Sequence, residues 1–248
     1  GISFDKDGNL IVADSGSHTI KSIDAKGTVT TIAGTENRAG NANGDAKSST
    51  FHAPVGVAAA PNGTVYVALG NLQQLVSIAP SGTVTRIAGS LSGSTCDQTA
   101  NPTCGDGGRA SDASLNLPDS TANETLVLAA DNRGVYLPDY QFSRVRFINQ
   151  SGAGTTILGT TINPQQINTL IGSGVHAPYD GLPATSAELS EPSGIAVDPA
   201  GNLFISDTRT NRLRFVNRGT QPLTLFIASA AAVTVQPGQI ITLNERAG

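Results

Sequence analysis

The chain of 248 residues has no methionine and no tryptophan, and only 14% of its residues are charged. A typical globular protein has about 25% charged residues, so this low fraction argues against a disordered, self-repelling chain. Basic and acidic residues number 15 and 19, which gives a net charge of −4. That balance does not provide the broad basic surface that nucleic acids require, so we expect no nucleic-acid partner.

Long hydrophobic runs are also missing. The longest one, at residues 225–235, is interrupted by Ser229 and Thr234 and is shorter than the ~18 residues of a membrane-spanning helix. We therefore predict no membrane span. The chain starts at Gly1 with a strand-like segment and has no charged or apolar leader. The expectation is a mature chain, or one cut from something longer, whose signal peptide would lie outside it.

An internal repeat organises the chain. The motif GISFDKDGNLIVAD at residues 1–14 returns as GIAVDPAGNLFISD at residues 194–207, with weaker copies at 56–69 and 126–139. The turn glycines of the four copies are Gly8, Gly63, Gly134 and Gly201, at spacings of 55, 71 and 67 residues. A fixed repeat of this length indicates an array of similar structural units.

Each copy reads as four short strands. In residues 212–216 apolar and basic side chains alternate, as in a strand with two different faces. No segment keeps a 3.6-residue period, so little helix is expected. The sequence predicts one all-β domain over residues 1–248, a β-propeller with four visible blades of four antiparallel strands, alone or as part of a six-bladed array. The predicted blades cover residues 1–34, 54–89, 124–172 and 192–248.

The motif at residues 194–207, followed by Asn211-Arg-Leu-Arg-Phe-Val, resembles an NHL repeat. The segments DGLPATSAELSEP at residues 180–192 and DGGRASDASLNLP at residues 106–118 are similar to the linkers of the bacterial secreted branch of that family. This resemblance implies a propeller that serves mainly as a binding platform. A minority of the relatives are metal-dependent lyases or lactonases. In the relatives with lyase activity, histidines from several blades hold the metal near the axis, so the resemblance also allows an enzyme of this kind.

Cys96 and Cys104 are the only cysteines, and they lie in a polar linker. A zinc site usually needs four closely spaced ligands, and no second cysteine pair or nearby histidine is present. We therefore predict a disulfide, which indicates an oxidising compartment and a secreted, extracellular or periplasmic location.

Successive turns of an antiparallel sheet lie at alternate ends. The turns between second and third strands therefore share one face with the linkers between blades, here called the linker-side face. All three histidines, including His176 in a long linker, are expected on this face. The candidate binding residues there are Asp14, His18, His52, Asp139, Tyr140, Asp207 and Arg209.

These residues allow two interpretations. A histidine and aspartate centre at the channel mouth would hold a divalent cation such as calcium or zinc. Alternatively, the strand-end aspartates are structural because they recur in several copies, and His18 caps a turn at the position of Gln73, Ser143 and Asn211. On this second interpretation we predict no catalytic residue, no metal and no cofactor. The arginines of the third strands are expected to pair with strand-end aspartates of neighbouring blades.

Two apolar insertions, at residues 152–163 and 220–238, read as extra hairpins between third and fourth strands. They either fold back onto the blades or contact another subunit by edge pairing. The most consistent function is a secreted, non-enzymatic scaffold that binds a protein, peptide or glycan, or copies of itself. The alternative is a divalent-metal-dependent lyase or lactonase with its site at the linker-side channel mouth.

Overall fold

A computed structural model gives the fold of the chain, and it describes residues 1–41, 43–91, 96, 103–119, 121, 124–172, 181–225 and 232–243. Within these ranges the chain forms short β-strands and five 3₁₀ turns, so the all-β prediction is confirmed. None of the helical segments found there is long or apolar enough to cross a membrane.

The first two repeat copies each form four consecutive antiparallel strands. Unit 1 comprises β1 (Ile2–Phe4), β2 (Leu10–Asp14), β3 (Thr19–Ile23) and β4 (Val29–Ala33). The linker strand β5 (Gly44–Asp45) follows and pairs with the outer edge of the next unit. Unit 2 comprises β6 (Pro54–Ala59), β7 (Val65–Leu69), β8 (Gln74–Ile78) and β9 (Thr83–Ala88).

The last two copies have the same strand order and each contains an additional hairpin. After β10 (Leu126–Val127), unit 3 comprises β11 (Ala129–Asp131), β12 (Gly134–Asp139), β13 (Arg144–Asn149) and β16 (Ile167–Ile171), with the hairpin β14 (Thr155–Ile157) and β15 (Thr160–Ile162). Unit 4 comprises β17 (Pro192–Val197), β18 (Leu203–Asp207), β19 (Arg212–Val216) and β22 (Ile240–Thr242), with the hairpin β20 (Leu223–Leu225) and β21 (Val233–Val235).

The predicted first strand of the third copy is divided into two. β11 pairs with β12 of its own unit, whereas β10 pairs in parallel with β6 and β17 and so joins units 2 and 4 in one ten-stranded sheet. Gly56 permits this approach, because a Cβ atom there would lie 2.8 Å from the carbonyl oxygen of Leu126. The sheets of the described ranges do not close into a ring.

The turn between second and third strands ends in the same way in every unit. His18, Gln73, Ser143 and Asn211 all have left-handed backbones, with φ between 53° and 61°. The glycine that ends the fourth strand packs against this turn in units 1 to 3. A Cβ atom at Gly34, Gly89 or Gly172 would collide with the carbonyl oxygen of the left-handed residue. The His18 position is therefore a structural feature of the repeat.

Three apolar cores lie between consecutive units. The core between units 1 and 2 includes Ile11, Ile20 and Val67, and the core between units 2 and 3 includes Leu75 and Leu137. The core between units 3 and 4 is formed by Tyr136, Val145, Phe147, Ile195, Ile205 and their neighbours. Burial of these side chains contributes about 1.5–3 kcal/mol each, so packing between units stabilises the array.

Both inserted hairpins are anchored by a buried asparagine at the end of the third strand. The Asn149 side-chain amide donates to the carbonyl oxygens of Ala153 and Ile162, at 2.8 Å each. The Asn217 amide donates in the same way to Gln221 and Val235, at 2.9 Å each. The first hairpin folds back onto the sheets, since Ile157 and Ile162 belong to the core between units 3 and 4.

The predicted disulfide is present. Cys96 and Cys104 are bonded, and their Cα atoms are 5.5 Å apart. Cys104 is buried next to the core between units 2 and 3, and its carbonyl oxygen accepts a hydrogen bond from Arg146 at 3.3 Å. The bond therefore fastens the linker that leads into unit 3, and short loops closed in this way contribute roughly 2–3 kcal/mol.

Candidate functional site

The strand-end aspartates that the sequence placed on the linker-side face are engaged in structural contacts. Asp139 is fully buried, accepts the backbone N–H of Asn116 at 2.7 Å, and forms an ion pair with Arg146 at 3.1 Å. Burial raises the pKa of Asp139, while Arg146 and the Asn116 N–H stabilise its charged form. Arg146 also binds Asp106 of the preceding linker at 2.7 Å. Asp139 therefore connects β12 both to the preceding linker, through Asn116, and to β13, through Arg146.

Unit 4 repeats this arrangement. Asp207 accepts the backbone N–H of Ser190 at 2.6 Å and pairs with Arg214 at 3.2 Å, with both side chains fully buried. In unit 2 the corresponding residues are Leu69 and Val76, which are also fully buried and belong to an apolar core. The same pair of repeat positions therefore holds a buried ion pair in units 3 and 4 and an apolar pair in unit 2. This is expected of residues whose role is to pack the sheet.

The predicted pairing of arginines with aspartates of neighbouring blades is wrong for these two pairs. Asp139 and Arg146 belong to adjacent antiparallel strands of the same unit, and so do Asp207 and Arg214. Each pair lies diagonally on one face of the sheet, because Arg146 is opposite Leu137 and two residues from the partner of Asp139. Diagonal neighbours on a sheet face are within reach of long side chains.

Asp14 has the same role in unit 1 but is more accessible. Its carboxylate pairs with Lys21 at 2.7 Å and accepts the Ser17 N–H at 3.2 Å, and its side chain is 33% exposed. The hydrogen bond from Lys21, followed by the contacts with Ser17, lowers the pKa of Asp14 to about 2. This aspartate is therefore held by its own sheet and is charged at neutral pH.

Replacing Lys21 tests this assignment, because the effect on stability should depend on pH. Because the pKa of Asp14 is lowered from 3.8 to about 2 in the folded state, its contribution to stability is present above pH 3.8 and is lost as pH falls through about 2. Lys21→Met should cost less than about 1 kcal/mol at pH 7, since the pair is partly exposed, and almost nothing at pH 2. Urea unfolding at pH 7, 4 and 2, with the exposed Lys26→Met as control, measures this. An equal loss at pH 7 and pH 2 would contradict the assignment.

His18 and His52 come together at the edge between units 1 and 2. Their rings meet edge to face with centroids 6.2 Å apart. Nδ1 of His18 accepts the backbone N–H of Ala53 at 3.2 Å, and Nε2 of His52 lies 3.1 Å from the side-chain nitrogen of Asn71. His176 lies outside the described residues. Within the described ranges no group of three or more histidine, cysteine or acidic side chains could hold a metal ion.

Tyr140 and Arg209 meet at a carboxylate that the sequence did not single out. Tyr140 donates to one oxygen of Glu191 at 3.1 Å, and Arg209 binds the other oxygen at 2.7 Å. Burial raises the pKa of Tyr140, and its hydrogen bonds to the carboxylates of Glu124 and Glu191 raise it further. The residues that precede β10 and β17 thus bring two carboxylates to one phenol.

An open cleft lies at the start of the first strands, where three units and a linker converge. It encloses about 220 Å³ and is lined by Gly1, Ser15, Pro54, Val55, Asp119, Glu124 and Thr125. We call this cleft the linker-side mouth. Two charged side chains line it, Asp119, which is exposed, and Glu124, which is half-buried. Neither residue follows the repeat pattern, so periodicity gave no signal for them.

Comparison with known proteins identifies the repeat. Residues 189–214, from the end of a linker through β17 and β18 into β19, match the family model of the NHL repeat. Teneurin-4 of Homo sapiens is 32% identical over 108 residues, which cover 42% of this chain and 4% of Teneurin-4. The match thus concerns a small part of that relative.

Two solved structures show the same type of fold. A protein of unknown function from Bacteroides thetaiotaomicron has a TM-score of 0.56 at 16% identity, covering 86% of this chain and 45% of its own. An auxiliary nutrient binding protein from Bacteroides ovatus has a TM-score of 0.50 at 20% identity, covering 86% of this chain and 46% of its own. The likeness shows an all-β, propeller-like fold, and the chain spans less than half the length of either structure.

Proposed function

We propose that this NHL-repeat protein, a member of the propeller family that carries the repeat, is a non-enzymatic binding scaffold whose ligand sits at the linker-side mouth. One observation supports this proposal most strongly. Asp139 and Asp207 are fully buried in ion pairs, whereas Asp119 and Glu124 line an open cleft. The acidic side chains are thereby divided into a set that holds the sheets and a set that can reach a ligand.

In this proposal, units 1 to 4 are four NHL-type blades, and their linkers present the binding loops. Rigid sheets that position variable loops are a common way to build a binding surface. The Cys96–Cys104 disulfide supports a location outside the cytoplasm, because such bonds persist in oxidising compartments.

The chemistry of the mouth favours a ligand with positive charge. Asp119 and Glu124 offer carboxylates, while Ser15 and Thr125 offer hydroxyl groups that accept or donate hydrogen bonds. The Tyr140 hydroxyl lies next to Glu124 and Glu191. A lysine-bearing peptide segment supplies the complementary ammonium groups.

A binding titration tests the proposal. We expect a labelled lysine-rich peptide to bind more tightly than a glutamate-rich peptide of equal length, with an affinity that falls as salt rises. The double variant Asp119→Asn, Glu124→Gln should weaken binding of the lysine-rich peptide by about tenfold or more, equivalent to about 1.4 kcal/mol. Fluorescence anisotropy measures both affinities.

Asp24→Asn is the matched control, because Asp24 is an exposed carboxylate in the turn between β3 and β4. It should leave the affinity unchanged, and circular dichroism should show all variants folded. Equal binding of the two peptides, or full binding by the double variant, would refute the proposed site.

A further inference from the structure

A second pocket lies where β9, the following linker and unit 3 meet. It encloses about 190 Å³, and its polar lining comprises Thr85, Arg86, Arg109, Ser111, Gln150 and Gln165. We call it the arginine pocket. None of the described residues that line it belongs to the linker-side mouth, and its charged lining is basic rather than acidic.

The two arginines of this pocket keep their positive charge available. Nη1 of Arg86 donates to the backbone carbonyl oxygens of Gly89 and Ser111, the second at 2.7 Å. These neutral acceptors hold the guanidinium in place without neutralising it. Arg109 is exposed, and within the described ranges its side chain has no hydrogen bond or ion pair. Asp112, which accepts the Ser111 hydroxyl at 3.1 Å, adds one exposed carboxylate beside the two guanidinium groups.

Arg86 departs from the repeat. In units 1, 3 and 4 a threonine of the fourth strand lies in register with the basic residue of the third strand. These threonines are Thr31, Thr169 and Thr242. In unit 2 the third-strand residue is Val76, and its partner is Arg86. Because unit 2 also has Leu69 in place of the strand-end aspartate, its strands offer Arg86 no carboxylate. Packing of the sheet therefore does not account for this charge.

Arg109 departs from the pattern of the linkers. In each of the three linkers, the carbonyl oxygen of one alanine accepts the N–H of the glycine that ends the preceding unit. These alanines are Ala46, Ala110 and Ala184. The residue before the alanine is Asp45 in the first linker and Pro183 in the third, but Arg109 in the second. The linker conformation thus forms with a negative, a neutral or a positive residue here, so it does not require the arginine.

Gln165 is a third departure at the same pocket. Each of the linker alanines donates its N–H to a residue with a left-handed backbone in the following unit. The acceptor is Gly82 in unit 2 and Gly238 in unit 4, as expected, because glycine adopts this conformation without strain. In unit 3 it is Gln165, with φ 63°, whose side chain lines the pocket. Three departures from the repeat therefore converge on one place, which indicates a site rather than a part of the scaffold.

We propose that the arginine pocket binds the anionic group, a carboxylate or a phosphate, of a small hydroxylated ligand such as a sugar acid or a sugar phosphate. A guanidinium group presents paired N–H donors that match two oxygens of such a group. The amides of Gln150 and Gln165 and the hydroxyl of Thr85 supply donors and acceptors for ligand hydroxyl groups. The volume of about 190 Å³ is smaller than the roughly 300–1,000 Å³ of pockets for drug-sized ligands, which favours a ligand of about one sugar unit.

Isothermal titration calorimetry with three related sugars tests this site. Glucuronate carries a carboxylate, glucose 6-phosphate carries a phosphate, and glucose carries no charge. At least one of the two charged sugars should bind about tenfold more tightly than glucose, with an affinity that falls as salt rises. The charged sugar that binds more tightly identifies the anionic group that the pocket takes.

Arg109→Gln is the decisive variant, because its loss removes no side-chain contact within the described part of the chain. It should weaken binding of the preferred charged sugar by about tenfold. Arg38→Gln is the matched control, because Arg38 is an exposed arginine of the first linker. It should leave the affinity unchanged, and circular dichroism should show both variants folded.

The two binding sites can be judged separately. The lysine-rich peptide should bind Arg109→Gln as it binds the wild type, since Arg109 does not line the linker-side mouth. Failure of both charged sugars to bind would overturn the proposal for the arginine pocket. Equal binding of glucose, or wild-type affinity in the folded Arg109→Gln variant, would overturn it as well.

Discussion

Replacing Asp139 with alanine should lower the free energy of unfolding by about 3–5 kcal/mol, the cost typical of breaking a buried ion pair. The substitution leaves Arg146 buried with one carboxylate fewer and leaves the Asn116 N–H without its acceptor. Urea denaturation at pH 7 measures the loss. Asp7→Ala is the control, because the Lys6–Asp7 pair is exposed and should contribute little.

The second unit suggests how this loss can be partly reversed. It has Leu69 and Val76 at the two positions, and both are fully buried. The double variant Asp139→Leu, Arg146→Val should therefore be more stable than Asp139→Ala, because no uncompensated charge remains inside the sheet. It should remain less stable than the wild type, since Asp106 and the Ser114 carbonyl lose their arginine partner. A double variant less stable than Asp139→Ala would contradict this account of the position.

Gly89→Ala should destabilise the chain by about 3 kcal/mol or more. Gly89 has φ +91°, where an L-residue is strained, and a Cβ atom there would also lie 2.8 Å from Cα of Gln74. Relief would require movement of the turn between β7 and β8, which contains Gln73. Thermal and urea unfolding measure the loss.

Gly82→Ala is a closely matched control for this substitution. Gly82 has φ +85°, but nothing lies within 4 Å of the position that its Cβ would take. It should lower the free energy of unfolding by only about 1 kcal/mol, the strain of an L-residue in the left-handed backbone conformation. If both substitutions cost the same, the contact with the turn has no energetic role.

Much of the architecture could be predicted from the sequence repeat. The turn glycines, the strand periodicity and the shared position of His18, Gln73, Ser143 and Asn211 all reflect local geometry that recurs in each unit. The disulfide followed from the chemistry of an isolated cysteine pair. These features depend on residues close together in the sequence, so a single chain reveals them.

Features that depend on contacts between units, or on the register of strands within a unit, could not be predicted from the sequence. The split between β10 and β11 places Leu126 against Gly56, which is 70 residues away in the chain. The pairing of Arg146 with Asp139 depends on strand register, and the alternation pattern does not specify it. Glu124 and Glu191 lie in linkers outside the repeated motif, so only the folded chain brings them next to Tyr140.

Hydrogen–deuterium exchange with and without the lysine-rich peptide tests the central claim, that binding and structural carboxylates occupy separate places. Protection should appear in the segments around Pro54, Asp119 and Thr125, which line the linker-side mouth. The strands β13 and β19, which carry Arg146 and Arg214, should exchange equally in both states. Protection confined to those strands, or no change at the mouth, would contradict the account.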